Sequence, residues 1–246
     1  MSQAAQYEPI ERRKVYELIA EQLLAQISER RLQPGDVLPP ERELTRLYRA
    51  GRSSVREALR MLESQGLIES MGNGSFAVAG YANLLHSPLR LLLSLDQATM
   101  HDIYELRQIL ECEAAALAAE RHTDEHLALM DAAIEEMAAG LASADDDGGD
   151  RYIEADLRFH VTIADATGNG LLLHTMQALR DIIRRALMSI FRIPGSPEAS
   201  LEQHRAIRAA IAGRDPERAR AQMREHLVRV ESDVRGGLAV DGSVRG

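Results

Sequence analysis

One aspartate and three histidines in the second half of the chain have the residue types and spacing of a metal site. Asp156 and His160 lie four residues apart, so they share one face of a helix predicted over 150–167. His204 and His226 lie among apolar residues on two later predicted helices. Three imidazoles and one carboxylate suit zinc, nickel, manganese or iron, and the pattern does not choose among them. The alternative is that each residue is a hydrogen-bonded core residue, because buried polar groups must be paired.

A second group of residues could bind nucleic acid. Residues 42–60 contain six arginines and two glutamates, a net charge of +4. The whole chain of 246 residues has a net charge of −9, which by itself argues against nucleic acid as a partner. That excess is confined to residues 81–246, with 18 basic and 27 acidic side chains, whereas residues 1–80 hold 11 of each. Local charge decides what a surface attracts, so DNA remains a candidate partner.

The predicted elements around these arginines form a winged helix-turn-helix. A helix over 15–30 is followed by a short helix that ends near Tyr48, and a third helix begins at Arg52 or Ser53 and ends at Gln65-Gly66. A two-stranded hairpin then turns at Gly72-Asn73-Gly74. The third helix would enter the major groove with its N-terminus first. The alternative for these arginines is a solvated helix face, or ion pairs with Glu43 or Glu57.

The rest of the chain is predicted to be almost entirely helical, so the fold class is mainly α with an all-helical bundle after the winged helix. Residues 81–96 form a linker with a short helix, residues 97–235 form the bundle, and residues 236–246 form a disordered tail. The predicted bundle helices are 99–121, 123–141, 150–167, 170–192, 198–213 and 215–235. The histidines and Asp156 would form one site only if three of these helices converge.

Composition narrows the class of protein further. A single cysteine, Cys112, excludes a disulfide framework and a cysteine-based zinc ribbon. The N-terminus lacks a signal peptide pattern and no run approaches the ~20 apolar residues of a membrane helix, which predicts a cytoplasmic protein with no membrane partner. Nucleophile-elbow, phosphate-loop and dinucleotide motifs are absent, as is the pair of Glu-x-x-His motifs of a di-iron bundle. We therefore expect no enzyme activity, with a helical-bundle metalloenzyme as the less favoured alternative.

Several motifs occur together in the N-terminal segment. They are Leu38-Pro39-Pro40-Glu41-Arg42-Glu43-Leu44, Gly51-Arg52-Ser53-Ser54-Val55-Arg56-Glu57-Ala58-Leu59, Leu62-Glu63 and Gly66-Leu67-Ile68. Through these motifs, about residues 12–78 resemble the GntR family of bacterial transcription regulators. The resemblance implies DNA contacts by Arg42, Arg52, Ser53, Ser54 and Arg56, and insertion of the Gly72-Asn73-Gly74 wing tip into the minor groove. The tip lacks the basic residue that family wings often carry.

A second set of motifs lies in the helical half of the chain. They are Glu105-Leu106-Arg107, Glu111, Asp156-Leu157-Arg158-Phe159-His160, Gly168-Asn169, Glu202-Gln203-His204-Arg205-Ala206-Ile207 and Met223-Arg224-Glu225-His226-Leu227. Through these motifs, residues 97–235 resemble the FCD ligand-binding domain of the FadR subfamily.

The FCD resemblance implies roles for several of these residues. The metal ligands of such domains fall on Asp156, His160, His204 and His226, so a divalent metal ion is the expected cofactor. Arg107 matches the arginine that pairs with the carboxylate of a small organic acid; its alternative role is a buried or interface ion pair. Asn169 is a candidate to line the effector pocket, although capping a turn is the simpler role.

Together these observations predict a transcription regulator, with repression as the expected mode. It would bind a palindromic operator in double-stranded DNA as a homodimer. A small carboxylate metabolite bound among the helices would bias the spacing of the two winged helices. A metal-free site for an acyl or sugar-acid effector is the alternative.

Overall fold

We describe the protein from a computed structural model, which covers residues 13–72, 74–81, 83–95, 99–143 and 147–242. The chain divides into two compact units between Ser87 and Pro88. None of the helices in the described part of the chain combines the length and the apolar character of a membrane-spanning segment.

The N-terminal unit is a winged helix-turn-helix, as predicted. Its elements are α1 (Val15–Ser28), α2 (Glu41–Tyr48), α3 (Arg52–Ser64), β1 (Ile68–Ser70) and β2 (Phe76–Val78). The two strands pair antiparallel, with Ile68 opposite Val78. Apolar residues at helical spacing on α1 and α3 pack together with residues from the strands. The core of this unit comprises Ile19, Ala20, Leu23, Ile27, Leu38, Leu44, Val55, Ala58, Leu59, Leu62, Ile68 and Val78.

The turn between α2 and α3 follows from two backbone conformations. Arg49 adopts a left-handed conformation (φ 49°), which ends α2, and Gly51 is extended (φ −67°, ψ 151°) and starts α3. The helix predicted over 15–30 is two residues shorter in the structure, because Arg30 turns to φ 59° and cannot continue the helix.

The C-terminal unit is an all-helical bundle, again as predicted. α4 (Asn83–Ser94) spans the division between the units. The bundle helices are α5 (Met100–Arg121), α6 (Asp124–Ala142), α7 (Gly148–Ala166), α8 (Gly170–Phe191), α9 (Ser196–Ala212) and α10 (Pro216–Gly242). Thr99 and Thr123 cap α5 and α6 through their side chains. Helix α7 packs against α5, α6 and α8, and α10 packs against α5, α8 and α9.

Helix α10 continues to Gly242, past residue 236, where we predicted the start of a disordered tail. The helix runs through two consecutive glycines, at 236 and 237. Glycine costs a helix interior about 1 kcal/mol relative to alanine, but it does not clash with helical backbone as proline does. The helical conformation therefore passes through both glycines.

Helices α6 and α7 approach each other at two glycines. A Cβ atom added to Gly140 would lie 2.8 Å from the carbonyl oxygen of Gly148, and one added to Gly148 would lie 2.7 Å from that of Gly140. Neither distance leaves room for a side chain. The two glycines thus allow the α6–α7 contact, which supports α7, the helix that carries Asp156 and His160.

Candidate functional site

The four predicted metal ligands converge inside the helical bundle. Asp156 and His160 lie one turn apart on α7, while His204 comes from α9 and His226 from α10. One candidate ligand atom from each residue lies within 4.8 Å of the others, and all four side chains are buried. The condition set by the sequence, that three helices bring these residues together, is met.

His204 lies between the two predicted ligands of α7. Its Nε2 atom is 3.3 Å from Oδ1 of Asp156 and 3.2 Å from Nε2 of His160. The ring centroid of His226 is 4.5 Å from that of His204 and 5.2 Å from that of His160. The ring of Phe159 packs edge-on against His204 and closes one side of the cluster. Imidazole nitrogens and a carboxylate oxygen thus converge on one point inside the bundle.

The protonation states of two of the histidines suit a metal ion. Burial lowers the pKa of His204 and of His226 well below the usual value, and nearby positive groups lower it further. Both imidazoles are therefore neutral at pH 7, and a neutral imidazole is the form that coordinates a metal. Burial raises the pKa of Asp156, so removal of solvent disfavours a carboxylate that has no cation beside it.

The chemistry of the donors agrees with a divalent metal ion. Nδ1 of His204 has no hydrogen-bond partner in the described part of the chain, although it is buried. Two histidine nitrogens approach within 3.2 Å, a contact in which at most one of them can donate a proton. The residues present thus fit the expected cofactor, with a nitrogen-rich donor set suited to zinc, nickel, manganese or iron.

A second layer of polar groups orients two of these histidines. Nδ1 of His160 lies 2.6 Å from Oε2 of Glu111, and Glu111 accepts a 2.5 Å hydrogen bond from Nε of Arg107 through its other oxygen. With the proton on Nδ1, Nε2 of His160 is left to face the other ligands. On the opposite side, Nδ1 of His226 lies 3.2 Å from Oε1 of Gln203.

Arg107 and Glu111 form a buried ion pair on α5, with side chains 1% and 2% exposed. Burial would raise the pKa of Glu111, but the charge of Arg107 and the close contact with His160 outweigh burial and hold that pKa at about 2. The alternative named for Arg107, an ion pair, is therefore present. Glu111 appeared in the sequence only as part of a motif, and its four-residue spacing from Arg107 is the signal that could have identified the pair.

Arg107 also has donor capacity that the ion pair does not use. Its Nη1 atom is buried and has no hydrogen-bond partner among the described residues. The same is true of the hydroxyl group of Tyr104, whose ring centroid lies 5.2 Å from Cζ of Arg107. Burial raises the pKa of Tyr104 to about 12, so this hydroxyl keeps its proton at neutral pH. Two buried donors without acceptors thus lie beside the ligand cluster.

A small cavity of about 20 Å³ adjoins Asp156. Its volume is close to that of one water molecule. The other lining residues are largely apolar: Tyr152, Ile153, Leu187, Phe191, Pro197, Ser200 and Val230. A ligand larger than a few atoms would have to displace side chains there.

Asn169 has the simpler of its two predicted roles. It is exposed, and its Oδ1 atom accepts hydrogen bonds from the backbone amides of Leu171 (3.1 Å) and Leu172 (3.3 Å). The side chain therefore caps the first turn of α8. An effector contact by Asn169 stays a prediction.

The predicted DNA-contacting residues of the N-terminal unit lie on α2 and at the start of α3. Arg42, Arg52, Ser53 and Arg56 are exposed, and Ser54 is half-buried. Nε of Arg56 donates a 2.8 Å hydrogen bond to Glu41, so its partner is neither of the two glutamates named from the sequence. In the described segments, Arg42 and Arg52 take part in no ion pair. Their charges are therefore available to a phosphate or a base.

The N-terminus of α3 is suited to an anion. Gly51 occupies the N-cap position without a side chain, and the first turn contains no acidic residue. The amide groups and helix dipole at this end are thus not neutralised by the helix itself. At the wing, Gly72 and Gly74 have φ angles of 78° and 81°, which favour glycine at both positions. Asn73, the remaining predicted wing contact, lies outside the described residues.

Comparisons with known proteins agree with both units. Residues 15–78 match the family described as bacterial regulatory proteins, gntR family, and residues 102–229 match the FCD domain. The chain is 32% identical to the HTH-type transcriptional regulator LutR of Bacillus subtilis over 83% of this chain and 94% of LutR. It is 33% identical to the HTH-type transcriptional repressor NanR of Klebsiella aerogenes over 91% of this chain and 86% of NanR.

Two further comparisons bear on mode of action and fold. The Glc operon transcriptional activator of Escherichia coli is 29% identical over 91% of this chain and 90% of its own length. Among solved structures, Streptococcus agalactiae GntR has a TM-score of 0.66 and 28% identity, covering 87% of this chain and 98% of that one. These relatives are transcription regulators rather than enzymes, as we expected for this chain. The chain therefore belongs to the GntR family, as a DNA-binding transcription regulator with a winged helix-turn-helix and an FCD effector domain.

Proposed function

We propose that this regulator senses a small organic acid at a metal centre held by Asp156, His160, His204 and His226. The observation that carries the proposal is the convergence of these four buried side chains beside two unpartnered donors, on Arg107 and Tyr104. A bound divalent ion would supply a Lewis-acidic position for a carboxylate oxygen. Nη1 of Arg107 would donate to the same carboxylate, and Glu111 would hold both Arg107 and His160 in place.

The size of the cavity favours a small effector over the bulky acyl alternative. A cavity of about 20 Å³ beside Asp156 has no room for a long chain unless α8 side chains such as Leu187 and Phe191 move. A carboxylate with a few further atoms requires less rearrangement. An effector that binds one conformation of the bundle more tightly than another can then change the affinity for the operator, typically by ~1–3 kcal/mol.

On DNA, we propose that the protein acts as a homodimer on a palindromic operator, with Arg52, Ser53, Ser54 and Arg56 in the major groove. Arg42 would contact phosphate, and the wing at Gly72-Asn73-Gly74 would approach the minor groove. Repression relieved by the acid is the proposed mode, supported by the relative named as a repressor; another relative is named as an activator. Light scattering of the protein alone and bound to operator tests the dimer, and a promoter fusion tests repression.

A metal analysis combined with a ligand screen tests the sensing site. We expect about one divalent ion per chain in the purified protein, and loss of that ion in His204→Ala. His101→Ala is the matched control, because His101 is exposed and lies outside the cluster. In a thermal-shift screen, we expect a carboxylate to stabilise the metal-loaded protein without being consumed, and a chelator to abolish the shift. A metal-free protein that still responds to an acyl ligand would favour the alternative site.

A further inference from the structure

The buried charges around the ligand cluster nearly cancel before any effector binds. Arg107 contributes one positive charge, and its contact with Glu111, 2.5 Å long and almost fully buried, neutralises it. Asp156 contributes one negative charge when it coordinates a cation. At the edge of the site, Arg229 is paired with Asp233 at 2.6 Å, so this pair adds no net charge.

We propose that Glu111 makes this site selective for a monoanionic carboxylate over a dianion. The inference rests on the proposed function and narrows its effector class. With a divalent ion held by Asp156 and the histidines, and with Arg107 neutralised by Glu111, the buried site has one unit of positive charge left. A monocarboxylate cancels that charge, whereas a dicarboxylate leaves an uncompensated negative charge among buried side chains.

The second arginine at the edge of the site, Arg229, has a buried Nη2 atom that can donate a hydrogen bond, but its charge is already balanced by Asp233, so this pair gives a dicarboxylate no unbalanced positive charge. Tyr104 presents a hydroxyl, which can donate to a carboxylate oxygen but carries no charge. Besides Asp156, the cavity is lined mainly by apolar side chains, together with Tyr152 and Ser200. Polar substituents such as a hydroxyl group therefore fit better than a second carboxylate.

Glu111 also determines the direction of the selectivity. Glu111→Gln keeps the shape of the side chain and removes one negative charge, which raises the net charge of the metal-loaded site from +1 to +2. A dicarboxylate would then match the site. At the effective dielectric of a protein, a unit charge a few ångströms away changes the affinity for a second charge by about tenfold or more.

The test is the ratio of affinities within pairs of acids of equal carbon number, measured by calorimetry at saturating metal. Suitable pairs are glycerate with tartronate, butyrate with succinate, and gluconate with glucarate. We expect the wild-type protein to bind the monoanion of a pair at least about tenfold more tightly, and Glu111→Gln to reduce or invert that ratio by a similar factor. Because each ratio compares two acids on one metal-loaded protein, a change in metal affinity cancels.

Two further variants separate charge from shape. Glu111→Asp retains the charge and should keep the wild-type preference, while Arg107→Gln/Glu111→Gln restores the net charge and should return the ratio towards wild type with weaker binding overall. If the wild-type protein binds the dianion of a pair as tightly as the monoanion, or more tightly, the inference is overturned whatever the variants show. An unchanged ratio in Glu111→Gln also overturns it, although the sensing site stands. If no acid of either series binds, the proposed function itself fails.

Discussion

Replacing Arg107 with methionine should destabilise the C-terminal unit by about 3 kcal/mol at pH 7. This magnitude follows from Glu111, whose pKa is about 2 in the folded protein against an ordinary value of 4.5. Each pKa unit corresponds to 1.36 kcal/mol, so the folded surroundings as a whole favour the ionised carboxylate by about 3 kcal/mol. The charge of Arg107 is the largest of the causes that lower this pKa, ahead of His160. Removal of one partner of a buried ion pair typically lowers the stability of a protein by about 3–5 kcal/mol, which agrees with this magnitude.

Urea unfolding followed by circular dichroism, with a chelator present, measures this loss. Arg205→Met is the matched control: Arg205 forms a 2.5 Å pair with Glu202, but the two side chains are 49% and 70% exposed. Exposed pairs contribute about 0–1 kcal/mol, so this control should stay near the wild-type stability. Arg107→Met/Glu111→Leu should recover much of the loss, because no buried charge is left without a partner.

The pH dependence gives a second test of the same reasoning. Without Arg107, burial should raise the pKa of Glu111 above its unfolded value. The folded variant would then take up a proton that the unfolded chain does not, so its stability deficit should shrink as the pH falls from 7 to 5. A deficit below about 1 kcal/mol at pH 7, or one that grows on acidification, would refute the assignment of Arg107 and Glu111 as a buried charged pair.

Three further predictions concern DNA binding, packing and acid stability. Arg52→Ala or Arg56→Ala should abolish specific operator binding in a gel shift while thermal unfolding is unchanged, and removal of one phosphate interaction should lower the salt slope of binding by about 1. Gly140→Ala should destabilise the bundle by about 1–3 kcal/mol, because its Cβ would lie 2.8 Å from a backbone oxygen of α7; an unchanged melting temperature would contradict this. The metal-free protein should lose stability as the pH falls below about 6.5, because burial lowers the pKa of His204 and His226 and the unfolded chain takes up protons first. Replacing either histidine with glutamine should flatten that slope in denaturation curves, and a slope equal to wild type would contradict the assignment.

Much of the N-terminal unit could be predicted from sequence because its signals are local. Proline and glycine mark its turns, and apolar residues at helical spacing define the buried faces of α1 and α3. Such signals depend on residues only a few positions away along the chain, so they can be recognised without knowledge of the fold. The ion pair between Arg56 and Glu41 was not predictable in this way, since it joins side chains 15 positions apart on two helices.

In the bundle, the sequence alone determined which side chains point inwards. Helical periodicity placed Asp156, His160, His204 and His226 on apolar faces, and the structure buries all four. Periodicity says nothing about whether three inward faces meet at the same height, because that depends on how α7, α9 and α10 cross and how each is rotated about its axis.

Only the tertiary structure decided how the second layer is connected. The contact between Glu111 and His160 joins α5 to α7, and the bond between Gln203 and His226 joins α9 to α10. Long-range packing brings these atoms within hydrogen-bond distance. Because the buried surroundings have a low dielectric constant, the electrostatic interactions between these groups are then much stronger than in water. Residue type and spacing thus identified the candidate ligands, while helix packing brought them together and buried the ion pair between Arg107 and Glu111.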